Sequence, residues 1–143
     1  MKEVLEKSIQ TIKNWKKTVA VAKDTPGFIV NRVARPFYGE SLRIYEEGIA
    51  DFATIDHSLK TLGGFRMGPF ELMNVTGVPI AYHAAVTLGN KFGPFYEPAE
   101  IFKAQFESGE LFPLEGEVNE EKLAVVSDRL WPVIFYVTAK LLE

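Results

Sequence analysis

The chain contains no cysteine and only two histidines. Disulfides and thiolate metal sites are therefore excluded, and a reducing compartment suits it. Two histidines are too few for a histidine-rich metal cage. No stretch approaches the ~20 consecutive apolar residues of a membrane span. The start, Met1-Lys2-Glu3-Val4, lacks the apolar core of a secretory signal. There is no basic surplus either: 16 Lys and Arg face 19 Asp and Glu, for a net charge of -3. Nucleic-acid binders usually show the opposite balance. These absences predict a soluble, cytoplasmic protein with no nucleic-acid partner and no membrane span. A dinucleotide fingerprint is also lacking, because the pair Gly63-Gly64 has neither the third glycine nor a preceding strand.

What is present is apolar. Hydrophobic residues make up 47% of the 143 positions, and eleven are phenylalanine. A chain of this length buries roughly 70% of its unfolded surface, so one packed core is expected without a covalent staple.

The pattern along the chain is mostly helical. In residues 3–15, Val4, Leu5, Ile9, Ile12 and Trp15 recur near helical spacing. Thr18-Val19-Ala20-Val21-Ala22 reads as a short strand, apolar and partly β-branched. A single strand leaves its backbone groups unpaired, which points to a sheet in another domain. Pro26-Gly27 marks a linker. A long helix is predicted from Phe28 to about Glu47, with a bend at Pro36 and Gly48 as its stop. Asp51 caps the next, which ends at Gly63. Pro69 opens a helix that stops at Gly77. Another runs from Pro79 to about Gly89, and a further one from Pro98 to Gly109. Phe112 to Val118 reads as a connecting loop. Asn119 caps a last helix that runs to the chain end with a bend near Pro132. The fold class is thus all-α with one orphan N-terminal strand.

A weak internal repeat accompanies this order. Asn31-Arg32 through Glu46 can be laid over Asp128-Arg129 through Glu143, with a nearby proline and an apolar face in each. Two unrelated amphipathic helices account for the match as well as a duplication does.

Few residues carry obvious chemistry. Asn31 stands out, because asparagine is a poor interior helix residue. Its carboxamide offers a donor and an acceptor without charge, which suits a ligand carbonyl or hydroxyl. A local backbone partner is the other reading. Arg32 reads as a surface ion pair. The turn Met67-Gly68-Pro69-Phe70 reads either as a pocket lining or as a tight turn packed into the core. His57 and His83 lie far apart with no nucleophile motif around either, which fits ordinary structural roles. Glu115, Glu117, Glu120 and Glu121 lack metal-loop spacing and read as solvated acids.

Two runs carry a resemblance. Lys23-Asp24-Thr25-Pro26-Gly27-Phe28-Ile29-Val30-Asn31-Arg32 and Gly63-Gly64-Phe65-Arg66-Met67-Gly68-Pro69-Phe70-Glu71-Leu72 together resemble the C-terminal helical domain of the 3-hydroxyacyl-CoA dehydrogenases of fatty-acid β-oxidation. The likeness spans Thr18 to about Val78. It implies an all-helical domain of the type shared with the C-terminal part of 6-phosphogluconate dehydrogenase. Residues 1–24 would be the tail of an upstream nicotinamide-binding domain plus linker. Residues 25–143 would form the helical substrate and dimerisation domain, ending inside a second degenerate repeat.

The resemblance also implies roles. It would make Asn31 the active-site residue near the reacting acyl group, and would give the turn Met67-Gly68-Pro69-Phe70 some contact with the acyl side of an acyl-CoA substrate, without assigning it residue by residue. NAD, together with the catalytic histidine and its glutamate partner, belongs to the upstream domain, so no cofactor site is expected here. A homodimer is implied. Two competing readings are a stand-alone helical interaction module and the helical domain of another two-domain hydroxy-acid dehydrogenase.

Overall fold

A long central helix organises the chain. The computed structural model describes residues 2–142, with side chains as far as residue 139. Among the described residues there are seven α-helices: α1 (Lys2–Asn14), α2 (Val30–Glu46), α3 (Phe52–Thr61), α4 (Pro69–Thr76), α5 (Val78–Phe92), α6 (Glu100–Ser108) and α7 (Leu123–Leu142). Short 3₁₀ turns at Pro94–Tyr96 and Glu120–Lys122 complete the order. No described helix is long and apolar enough to cross a membrane.

α2 packs against α3, α4, α5, α6 and, most extensively, α7. Phe37, Leu42 and Ile44 of α2 meet Ile55 and Leu59 of α3, Phe70 and Met73 of α4, and Val126 and Leu130 of α7 in one core. Each fully buried side chain of this kind contributes about 1.5–3 kcal/mol. Phe52 is its aromatic hub. It stacks on Tyr45 with ring centroids 3.9 Å apart and meets Phe70 edge-on at 4.6 Å.

The predicted strand is not formed. Thr18 to Ala22 has no regular structure, and no strand occurs among the described residues. The reason is physical: a strand needs a neighbouring edge for its N–H and C=O groups, and no such edge lies beside this segment. α1 likewise buries none of its residues.

Other boundaries shift for local reasons. α2 begins at Val30 rather than Phe28, because Gly27 (φ 77°) and Phe28 (φ 46°) are left-handed. Its end is a Schellman arrangement, with the Gly48 N–H bonded to the Tyr45 carbonyl and the Ile49 N–H to that of Ile44. Pro36 cannot donate to the Arg32 carbonyl, and the Tyr96 hydroxyl donates to it instead at 3.3 Å. α6 begins at Glu100, not Pro98. Its first turn is capped by another helix, since the Glu46 carboxylate accepts from the Ile101 N–H at 2.8 Å.

The two halves of the suggested repeat differ in their contacts. Arg32 lies over the Phe92 ring, 4.4 Å from its centroid, rather than in the ion pair its sequence context suggested. Arg129 instead pairs with Glu40 and Glu47 of α2. The last position of the second half, Glu143, lies outside the described residues, as do the side chains of Leu141 and Leu142.

Candidate functional site

The start of α2 sits close against α5. The linker passes through a left-handed Gly27 (φ 77°), where a Cβ would lie 2.9 Å from Leu88 Cδ2, so the position favours glycine. The result is a groove of about 240 Å³ lined by Gly27, Asn31, His83, Ala84, Thr87 and Leu88. Asn31 is exposed to it. Its side chain does not take the local backbone partner considered from sequence. Its Oδ1 instead accepts from Arg35 Nη2, one turn further along, at 3.0 Å.

Arg35 is itself tethered. Its Nη1 donates to the Ala81 carbonyl of α5 at 3.3 Å, and its guanidinium lies 4.9 Å from the centre of the Tyr38 ring. Burial pulls the guanidinium below its ordinary range and pushes the Tyr38 phenol above its own. His83 lies edge-on to Phe106 at 5.0 Å while bordering the groove. Sequence distance hid the meeting of His83 and Asn31. The i, i+4 spacing of Asn31 and Arg35 was the signal available for that pair.

On the other side of the same turn of α2 lies a second, larger depression of about 470 Å³. Val33, Ala34, Phe37, Phe65, Met67, Leu72 and Ile134 give it apolar walls. The two depressions share no lining residue.

The turn Met67-Gly68-Pro69-Phe70 divides sharply. Met67 is 38% exposed and faces the apolar groove, while Gly68, Pro69 and Phe70 are buried. Those three form a joint between helices. From sequence both a pocket lining and a packed turn are open for this segment; these three residues are packed, and the cause is Asp56. Its carboxylate accepts from the N–H groups of Phe70 at 2.9 Å and Glu71 at 2.8 Å, capping α4 from α3. Burial raises the Asp56 carboxyl to about 6, opposed by those two hydrogen bonds.

The remaining candidates stay apart. His57 lies in α3, on neither groove. Glu115, Glu117, Glu120 and Glu121 are exposed, and no cluster able to hold a metal occurs among the described residues. Gly63-Gly64 follow a helix rather than a strand, so they do not form a cradle for dinucleotide phosphates.

Solved structures share this helical arrangement. A 3-hydroxybutyryl-CoA dehydrogenase from Escherichia coli matches with a TM-score of 0.72 and 31% identity, over 82% of this chain and 27% of that one. The (S)-3-hydroxybutyryl-CoA dehydrogenase of Ralstonia eutropha matches with a TM-score of 0.69 and 26% identity, over 79% and 40%. The class is therefore the helical domain of hydroxyacyl-CoA dehydrogenases.

The family model described as 3-hydroxyacyl-CoA dehydrogenase, C-terminal domain, matches residues 27–117, and the chain belongs to that family. Among curated relatives, the 3-hydroxyadipyl-CoA dehydrogenase of Escherichia coli is 40% identical over 90 residues, 63% of this chain and 19% of that protein. The mitochondrial hydroxyacyl-coenzyme A dehydrogenase of Sus scrofa is 40% identical over 77 residues, 51% of this chain and 24% of that protein. The chain thus spans about a fifth of the length of the curated relatives it matches.

Proposed function

We propose that this chain is the substrate-side and dimerisation domain of an NAD-dependent 3-hydroxyacyl-CoA dehydrogenase of β-oxidation, which interconverts 3-hydroxyacyl-CoA and 3-ketoacyl-CoA. The observation that carries the reading is Asn31: an exposed carboxamide at a groove, inside the run that the family model matches. NAD and the catalytic base would be supplied by a nicotinamide-binding domain, with residues 1–24 as its tail and linker. Residues 25–143 would form the helical domain.

Within this reading Asn31 holds an oxygen of the acyl group by hydrogen bonding, which orients the reacting carbon. An acyl thioester draped over the first turns of α2 meets Asn31 with its reacting end and the Met67 groove with its chain. That groove, at about 470 Å³, falls within the usual size of small-molecule sites, about 300–1,000 Å³. Of the turn residues, Met67 is then the one that touches the acyl chain. The cytoplasm is the compartment we assign.

Steady-state kinetics of the full-length enzyme carrying Asn31→Ala test this. The expected outcome is a fall in kcat/KM of roughly ten- to a thousandfold with the fold intact. Wild-type kinetics would make Asn31 structural and sink the assignment.

A further inference from the structure

We propose that Arg35 is a positioning residue that locks the Asn31 carboxamide in one orientation, so that Asn31 serves its ligand only as a hydrogen-bond donor. The proposal rests on the reading of Asn31 given above and adds the direction of its hydrogen bond.

The argument begins with chemistry. A carboxamide can present either its oxygen or its NH₂ to a ligand, and a half-turn about the terminal bond exchanges them. A guanidinium carries five donors and no acceptor. The 3.0 Å contact between Arg35 Nη2 and Asn31 therefore admits only the oxygen on the Arg35 side. The Asn31 Nδ2 hydrogens are left on the other side, and no protein acceptor takes them among the described residues.

Arg35 is a firm anchor for this purpose. It is held at both ends of its guanidinium, to Asn31 and to the Ala81 carbonyl of α5, with the Tyr38 ring beneath. Its Nη groups are thus paired, while its Nε is buried with no hydrogen-bond partner. A cation beside Oδ1 also draws electron density from the amide and strengthens the opposite N–H donors, an effect that grows away from bulk water. A donor so fixed favours a substrate oxygen that gains negative charge during reaction. The same contacts brace α2 against α5, and a purely structural brace is the alternative to be separated.

A double-mutant cycle in the full-length enzyme separates them: parent, Arg35→Met, Asn31→Ala and the pair. Expected is a loss of about tenfold in kcat for Arg35→Met, with KM changed much less, and no further loss in the Asn31→Ala background. Arg35→Lys, which retains a donor, should recover part of the loss. An equal factor in both backgrounds would make Arg35 a brace and overturn the proposal. An Asn31→Ala enzyme with parental kcat and KM would instead remove the reading of Asn31 as a substrate contact, and this inference with it. If Arg35→Met does not fold, Arg35→Gln replaces it in the cycle. Glutamine keeps much of the length but can turn either end toward Asn31, so the same loss and the same lack of additivity are expected.

Discussion

The carboxylate of Asp56 occupies the space that a Cβ on residue 68 would need. A methyl built on Gly68 collides with the Asp56 carboxylate, while the backbone there is ordinary, with φ -72°. The glycine is thus required by a neighbouring side chain and not by a turn geometry. The close approach lets Asp56 reach the first N–H groups of α4, which no side chain of the Gly68 cap position can satisfy.

Gly68→Ala should destabilise the chain by about 1–3 kcal/mol, the usual cost of overpacking. Denaturant unfolding of Gly68→Ala, Asp56→Ala and the pair provides the check. The pair should lose less than the sum of the single changes, since removing the carboxylate frees the space. Strict additivity would mean the two residues do not share that volume.

Asp56 also sets a pH dependence. Its carboxyl is raised from 3.8 to about 6 in the folded chain, chiefly by burial. The folded state therefore holds this proton more tightly than the unfolded state does. The stabilisation from this group is full below about pH 4 and is lost as pH rises through about 6. Thermal midpoints of the parent and Asp56→Asn, compared across that window, isolate it. The difference between them should shift against the parent as pH rises, and a difference independent of pH would contradict the assignment.

Glu40 joins α2 to α7. It is 5% exposed and accepts from Arg129 Nε at 2.6 Å and from Arg43 Nη1 at 3.2 Å. Glu40→Gln should cost about 1–3 kcal/mol, because hydrogen bonds to a buried charge are lost. Glu47 pairs with the same Arg129 in the open, and that hydrogen bond holds its carboxyl below the usual range. Glu47→Gln should cost much less, since water screens the pair. Urea unfolding of both variants decides the ranking.

The chain should self-associate, most simply as a two-fold homodimer through its helices. Phe135 and Tyr136 of α7 are 66% and 61% exposed, beside the apolar groove bordered by Ile134. Large apolar side chains clustered on a surface commonly mark an interface. Light scattering at micromolar concentration, on the whole chain and on one lacking residues 1–23, should give dimers in both. Monomers in both would refute it, and a dimer only of the whole chain would move the contact to the N-terminal segment.

The helical class, the order of helices α2 to α7 and several of their ends were legible in the local pattern. Those features are local: apolar spacing, Asp51 as a cap, Pro69 at a first turn, Gly48 and Gly77 as stops. It also singled out Asn31, because an asparagine inside an amphipathic run is a visible exception. What these residues touch depends on how the helices pack. Thr18 to Ala22 has strand composition, yet strand formation depends on an edge elsewhere, and none is adjacent. Gly68, Pro69 and Phe70 read from sequence either as a pocket lining or as a packed turn, and it is Asp56, from a different helix, that binds them into the core. His83 borders the same groove as Asn31, and the Ala81 carbonyl takes Arg35, because α2 lies against α5. Burial, hydrogen-bond direction and the shape of a groove arise from contacts between segments far apart in the chain, and no local pattern encodes them.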